Sequence, residues 1–412
     1  MPNAATGSSD TNPTGSTGDA TDTASEASDG DGVDSTGDAT EGTDPGSDGG
    51  NGDACTPTSP SGRSQDCTAA NPFCVDGQCG GCDLVEDGDA SCQLEDAAGC
   101  NLETGSCYGC DSHDDCPGLA ACNFFTGHCL NQVTYVGGEG TPSFGSIRAA
   151  VDRIPVFGRG TIVVAAGDYD ERPVFDGKAV ALVADPDAAT PPRLTYSEQL
   201  GSQLRVVEGD LIVNGLEVSN NGANTSPAVT LINARAWIER ARITGNDSTG
   251  GAIQAHQSSL LVVQNSMVAD DSGYSPIGVY NTSNATVRYS TIVARSGMIP
   301  AIECQAGSEL NLRNSIVGSV ELAGDAIDCS GTIVDNAVDG DAGPDNTNVG
   351  EVDPAWFVDY ASNDLLLSPL GATVFAGTAV WHSGDPTTDI DIDARPDVDG
   401  TPDFAGADVP TR

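Results

Sequence analysis

The chain has 412 residues, 61 Asp and Glu against 16 Lys and Arg, a formal net charge of −45 and a single lysine, Lys178. That balance leaves no basic face to neutralise phosphates or to meet an anionic bilayer, so nucleic-acid binding and basic membrane-surface attachment are excluded, and no apolar run approaches the roughly eighteen residues of a spanning helix. Aromatic residues make up 5% and glycine fills 51 positions, which favours a turn-rich β architecture.

Residues 1–54 carry twelve acidic residues, no basic one and almost nothing apolar. Such a segment cannot bury enough surface to offset its chain entropy, and it reads as a disordered linker extended by self-repulsion. Asp29-Gly30-Asp31-Gly32 hints at a calcium loop, but in so acidic a tether it reads first as solvated charge.

Residues 55–130 hold twelve of the fourteen cysteines: Cys55, Cys67, Cys74 and Cys79, then Cys82, Cys92, Cys100 and Cys107, then Cys110, Cys116, Cys122 and Cys129. Each group ends on a similar phrase (Val75-Asp76-Gly77-Gln78-Cys79, Glu103-Thr104-Gly105-Ser106-Cys107, Thr126-Gly127-His128-Cys129), and two residues separate one group from the next. The pattern reads as three tandem four-cysteine units. A stretch this poor in large apolar residues needs covalent staples, and so many cysteines persist as disulfides mainly outside the cytosol. The C-x2-C spacings from Cys79 to Cys82 and from Cys107 to Cys110 leave zinc as the competing assignment. Four cysteines admit several pairings, among which spacing does not choose.

From residue 131 the pattern changes. The stretch from Ser146 to Ile154 puts Ile147, Ala150, Val151 and Ile154 on one helical face, and Pro155 ends the helix. The run from Thr161 to Ala166 before Gly167-Asp168 predicts a buried strand and a turn. A short amphipathic helix before such strands suits the end cap of a stack of coils, which would otherwise expose its core and a strand edge. An internal repeat follows. Val229, Ile253, Ile277, Ile302 and Ile327 are spaced by 24, 24, 25 and 25 residues. A second series, Ile243, Met267, Ile292 and Ile316, recurs at 24, 25 and 24, preceded by Ile238, Val262, Val287 and Leu312 in short alternating strands. Three short strands per period and no helix predict one coil of a parallel β-helix per repeat. Successive coils then pair at about 4.8 Å, with apolar ladders inside and polar residues facing water. Asn265 and Asn314 fall at equivalent tight turns between the second and third strands, where Asn tolerates left-handed geometry.

Residues 144–169, with Ser146-Ile147-Arg148-Ala149-Ala150-Val151 and then Thr161-Ile162-Val163-Val164-Ala165-Ala166-Gly167-Asp168-Tyr169, resemble the opening of right-handed parallel β-helix proteins of the pectin-lyase-like superfamily. The far end resembles the closing segment of bacterial choice-of-anchor Q β-helix proteins. The matching stretches are Val352-Asp353-Pro354-Ala355-Trp356-Phe357, Asp364 to Pro369, Asp391-Ile392-Asp393-Ala394-Arg395-Pro396 and Pro402 to Asp408. Ala394 stands where that family's usual ending has Gly, and Asp408-Val409 where it has an acidic-aromatic pair. The resemblance covers residues 131–412 and implies the fold, but little about activity, since most such proteins have none assigned. The linker and cysteine units resemble the forward part of bacterial secreted lipoproteins, although Met1-Pro2-Asn3-Ala4 shows no charged n-region, apolar h-region or lipobox cysteine. The expected chain is all-β: a disordered acidic linker (1–54), cysteine-rich repeats (55–130), a right-handed parallel β-helix of 24–25-residue coils with an N-terminal amphipathic helix cap (131–348), and its closing segment (349–412). It is expected to be exported to the extracellular or cell-surface side.

The ladder geometry singles out side chains. With Ile253, Ile277, Ile302 and Ile327 inside, Ala255, Val279, Cys304 and Cys329 point inward as well. Cys304 and Cys329 then stack on adjacent coils at a Cα separation of about 4.8 Å, which a disulfide tolerates; two buried thiols are the alternative. Gln254, His256, Gly278, Tyr280, Glu303, Gln305, Asp328 and Ser330 point outward. Glu303 and Asp328 stack as two carboxylates, which repel and favour either a retained proton or a shared Ca²⁺. Such a pair is the equipment of acid/base hydrolysis or β-elimination, and His256, Tyr280 and Gln305 extend it into a sugar-contacting stripe. The plainer reading is a solvated polar strand face.

Enzyme signatures of the related families are missing. Arg395-Pro396 lies in the closing segment, not on a coil ladder where pectate lyases set a basic residue near calcium-binding aspartates. Asp270-Asp271 stands without the Asn-Thr-Asp and His-Gly of polygalacturonases, and reads as a solvated turn. No G-x-S-x-G elbow is present. Asp389-x-Asp391-x-Asp393 starts like a calcium loop but continues with Ala394 and Gly400 where an EF-hand needs Gly and Glu. Asp339, Asp341 and Asp345 form a weaker oxygen-rich turn. The expected protein is non-catalytic, binds polysaccharide or a surface protein, and needs no cofactor beyond a loosely held Ca²⁺. A polysaccharide lyase or hydrolase using Glu303 and Asp328, and a purely structural stalk, are the alternatives.

Overall fold

Each cysteine unit is built on a short antiparallel hairpin, and in the second and third units its two strands are stapled separately to the chain before them. The hairpins are Phe73–Val75 with Gln78–Gly80, Gly99–Asn101 with Ser106–Tyr108, and Ala121–Asn123 with His128–Leu130. In each, the third and fourth cysteines of the unit sit directly opposite one another. They bond elsewhere: Cys82 to Cys100 and Cys92 to Cys107 in the second unit, Cys110 to Cys122 and Cys116 to Cys129 in the third. First joins third and second joins fourth. In the first unit Cys67 bonds Cys79 and Cys74 is also in a disulfide. No cysteine among the described residues is free, so the C-x2-C spacings mark disulfide units and not zinc ligands. The computed structural model describes residues 73–410 together with Pro57 and Cys67, with breaks at 77, 86, 95–96, 103–105, 139, 197–200, 220–225, 247, 271, 296–298, 306, 321–324 and 342. The acidic linker, its Asp29-Gly30-Asp31-Gly32 run and Cys55 lie outside the described residues.

Beyond residue 131 the chain forms the expected parallel β-helix. Three sheets run along it. Sheet S1 has six strands from Leu204–Val207 to Ile327–Asp328, S2 has ten including Arg159–Val164 and Gly331–Val334, and S3 has nine from Asp168–Asp170 to Thr347–Asn348. In S1, Leu204, Val229, Ile253, Ile277, Ile302 and Ile327 stack in register. The other two series need a correction of one residue. The inner ladder of S2 is Ile238, Val263, Val287, Leu312, so Val262 points outward beside Trp237. The inner ladder of S3 is Ile243, Val268, Ile292, Val317, and Met267 and Ile316 lie on its outer side. The cause is physical: the outer faces there are covered, so apolar residues occur on both sides and alternation is lost.

The corner between S2 and S3 turns on a residue with left-handed backbone: Gly215, Arg240, Asn265, Tyr289, Asn314 and Asp335 all have positive φ. The residue after it builds a hydroxyl ladder. Ser266 Oγ accepts the Ala241 N–H (3.1 Å), Ser290 Oγ the Ser266 N–H (3.2 Å), Ser315 Oγ the Ser290 N–H (3.2 Å), and Asn336 Oδ1 ends the series on the Ser315 N–H (2.9 Å). A matching pair at the corner between S1 and S2 joins Ala234 N–H to Ser259 and Ser259 N–H to Ser283. These bonds satisfy backbone donors that leave the sheets at the bends.

The cap helix Ile147–Arg153 closes the N-terminal end, with Ile147, Ala150 and Val151 buried. Ser146 accepts the Ala149 N–H, the Glu171 carboxylate accepts the Ile147 and Arg148 N–H groups (2.7 and 2.8 Å), and Lys178 Nζ donates to the Val151 carbonyl (2.8 Å). An acid at the helix start and a cation at its end complement its dipole. Ile277 is fully buried between Ile253 and Ile302, so Ile277→Ala should cost about 2–4 kcal/mol in chemical denaturation. Asn311→Ala, on the exposed outer side of S2, should stay within about 0.5 kcal/mol; equal costs would mean that the ladder is misassigned.

Candidate functional site

The outer face of S3 and the N-terminal coils of the outer face of S2 are covered by the chain itself, whereas Asn311 on a later coil of S2 is exposed. On S2, Ala121 and Leu130 of the third cysteine unit pack against Ala181 and Ile212, and Phe124 stacks on Trp237 with ring centroids 4.3 Å apart. Ala121 N–H donates to Thr161 Oγ1 (2.9 Å), and Asn123 Nδ2 donates to Asp210 Oδ2 (2.8 Å), whose carboxylate also holds Arg235 through two bonds. On S3, Met267, Ala269, Val293 and Ile316 are buried under Trp356, Phe375, Trp381 and Ala405 of the closing segment. Gly406 approaches so closely, at φ 93°, that a Cβ would stand 2.6 Å from Ile316 Cδ1. Asn265 Nδ2 donates to the Thr388 carbonyl and Asn314 Nδ2 to the Val380 carbonyl, so the two corner asparagines anchor this segment. The outer face of S1 carries no such cover among the described residues.

That open face holds the stripe. Arg205, Thr230, Gln254, Gly278, Glu303 and Asp328 form one outward column. His256 and Tyr280 belong to the neighbouring column and stack at 5.0 Å between centroids. Tyr280 Oη donates to Glu303 Oε1 (2.9 Å) and Ser275 Oγ to Glu303 Oε2 (3.0 Å). Gly278 makes this possible: a Cβ there would run into the Tyr280 ring. Burial first, and then the bond and charge of Glu303, hold the Tyr280 phenol far above its ordinary pKa, so it remains a donor. Burial lowers the His256 imidazole, which stays neutral at pH 7 and shares a 3.0 Å contact with Gln254 Oε1. Glu303 and Asp328 are backbone partners on adjacent coils; Asp328 and Gln305 are exposed. Just beyond them Cys304 and Cys329 form a disulfide with Cα atoms 4.8 Å apart.

The remaining aspartates do not assemble a cation site. Among the described residues, no three carboxylates bring their oxygens within 4.8 Å of one another. Asp339 is buried, and burial raises its pKa, while Asp341 Oδ1 accepts the Gly343 N–H. Asp389 is buried and spends its carboxylate on the N–H groups of Asp391, Asp393 and Val409. Asp270 is not a solvated turn residue: it is buried at the end of an S3 strand and accepts the Ser272 N–H. Arg395, buried, lies over the Tyr289 ring at 4.1 Å and donates to Asp403 and to the Gly406 carbonyl, a clamp within the closing segment. A cleft of about 470 Å³ opens where the third cysteine unit meets S2 and the closing segment. Of its polar groups, His113 Nδ1 accepts the Cys122 N–H while its Nε2 is buried without a hydrogen-bond partner, Arg240 bonds Asn214 and Arg242 pairs with Asp391.

Sequence reasoning missed the covers themselves. The available signal was Trp237, a large aromatic at an outward position of an alternating strand. No helix among the described residues is long and apolar enough to cross a membrane. Residues 201–341 match the family model described as a right handed beta helix region, in accord with the right-handed parallel β-helix the chain forms. No curated protein matches the chain.

The closing segment carries a pH signature. Asp408 Oδ2 accepts the Leu367 N–H (2.7 Å), and burial, reinforced by the charges of Asp389 and Asp391, pushes its carboxyl up to about 6. Because this folded value lies above the unfolded one of about 4, its contribution to stability is full below that value and is lost as pH rises through 6. Asp408→Asn, which keeps the acceptor, should therefore stabilise the protein by about 1–3 kcal/mol at pH 7.5 and by nothing at pH 4 in denaturant titrations. A pH-independent difference would contradict the assignment.

Proposed function

We propose that this is an exported β-helix protein that binds polysaccharide, without cleaving it, on the outer face of S1. One observation carries the reading: of the three long faces, S1 alone lacks a cover among the described residues, and it displays stacked His256 and Tyr280 beside a fixed carboxylate. Aromatic faces pack on the C–H faces of sugars, while Glu303, Gln254 and Gln305 offer hydrogen-bonding groups to hydroxyls. The disulfide units support export, because such staples persist in oxidising compartments. Binding is favoured over acid/base chemistry because both Glu303 oxygens already accept hydroxyl donors, from Tyr280 and Ser275. A carboxylate so engaged is a positioned acceptor, not a proton shuttle.

A glycan array followed by calorimetry tests this. The wild type should bind at least one polysaccharide class, and Tyr280→Ala should weaken that binding about tenfold or more. Neither reducing ends nor unsaturated products should accumulate on prolonged incubation. Product release that disappears in Glu303→Gln would establish the lyase or hydrolase alternative. Absence of any glycan binding would leave the stalk.

A further inference from the structure

The closing segment holds a cavity of about 520 Å³ that lies apart from the stripe on S1. We propose that this cavity binds a small organic cation, a primary ammonium group on an apolar body, with the Asp408 carboxylate as the partner of the charge. Three carboxylates line it, those of Asp391, Asp393 and Asp408, and no cationic side chain among the described residues does. Its apolar wall comes from two hairpins. Val358 and Leu366 belong to the pair Phe357–Asp359 with Asp364–Leu367, and Phe404 to the pair Ala376–Trp381 with Thr401–Phe404. Val358 is 58% exposed, so an apolar side chain that lines the cavity also meets water. Burying it again is worth something to a ligand with a hydrocarbon body.

Asp408 sets the chemistry. It is only 7% exposed, and its Oδ2 accepts the Leu367 N–H. Its Oδ1 accepts no hydrogen bond among the described residues, yet it is not sealed from solvent. A carboxylate oxygen takes up to two donors, and one withdrawn from water without them is costly. The charged groups around it supply none. Asp389 spends its own oxygens on the N–H groups of Asp391, Asp393 and Val409. Asp391 pairs with Arg242, and Arg395 is committed to Asp403 and to the Gly406 carbonyl. Repulsion from Asp389 and Asp391 adds to burial in making Asp408 hold its proton, and the Arg395 charge opposes this only in part. An ammonium group beside Oδ1 answers the open lone pairs and stabilises the ionised form. A metal ion is a poorer occupant, because the carboxylates are too dispersed to ligate one. An ammonium group needs one good carboxylate and tolerates apolar walls around its body.

Calorimetry with 2-phenylethylamine as probe and 2-phenylethanol as its neutral counterpart decides the matter. At pH 7.5 the wild type should bind one amine per chain, and the alcohol about tenfold or more weakly. The empty site holds its proton up to about pH 6, whereas the amine stays charged throughout. Amine affinity should therefore fall about tenfold or more between pH 7.5 and pH 4.5, and binding at pH 6 should release protons, read as a heat that varies with the buffer. Asp408→Asn, shown to be folded by denaturant titration, should bind the amine about tenfold or more weakly at pH 7.5 and lose the pH dependence. Val358→Ser should weaken the amine about threefold and keep the pH dependence. An amine bound no better than the alcohol, or bound by Asp408→Asn as by the wild type, overturns the proposal. So does the absence of saturable amine binding at pH 7.5. Displacement of the amine by an equal concentration of Ca²⁺ would put a metal ion in its place and overturn it as well.

Discussion

At each bend between S2 and S3 the backbone leaves its sheet, and one N–H per coil loses its strand partner. A side-chain oxygen from the next coil answers it: the hydroxyls of Ser266, Ser290 and Ser315 accept the N–H groups of Ala241, Ser266 and Ser290, and the amide oxygen of Asn336 accepts that of Ser315. The bond is short-range and repeats once per coil, so it ties the length of the repeat to the stacking of the coils. A coil one residue too long or too short would put its serine out of reach and turn every inward side chain outward. The ladders from Leu204 to Ile327, the pairing of Cys304 with Cys329 and the position of Glu303 beside Tyr280 all depend on that register.

The division of labour among the faces follows from what covers them. S2 takes the third cysteine unit through Phe124 on Trp237 and the Asn123–Asp210–Arg235 network. S3 takes the closing segment, anchored by Asn265 and Asn314 and fitted by Gly406. Both covers remove apolar surface from water and leave S1 as the face on which a long ligand meets an ordered row of side chains. Charge then grades that face, with Arg205 near the capped end and Glu303 and Asp328 near the other.

The period of the repeat and the inward column of S1 were legible because that column alternates with polar residues that remain in solvent, as in Ile253-Gln254-Ala255-His256. The same reasoning predicted the stacking of Cys304 on Cys329. It slipped by one residue at Val262, Met267 and Ile316, where strands such as Leu260–Gln264 and Met267–Asp270 are buried on both sides and carry no alternation. Only the pairing with neighbouring coils assigns such residues to a face. The first-to-third and second-to-fourth disulfide order was illegible for a related reason: cysteine spacing is compatible with every pairing, and the hairpin that separates Cys100 from Cys107 appears only in three dimensions. At the stripe, the alternation of the ladder singled out His256, Tyr280 and Glu303 but gave no hint that the glycine at 278 opens the path between ring and carboxylate.

The register of adjacent coils can be read directly by cysteine cross-linking on the outer side of S2. Thr286 and Asn311 are partners on neighbouring coils, whereas Thr286 and Arg313 share the face but are offset along the strand. Under mild oxidation the double variant Thr286→Cys, Asn311→Cys should form an additional disulfide nearly completely, as expected for Cα atoms about 5 Å apart. The double variant Thr286→Cys, Arg313→Cys should not. Cross-linking of the offset pair in preference to the aligned one would contradict the stacking on which the ladders, the open face and the stripe are built.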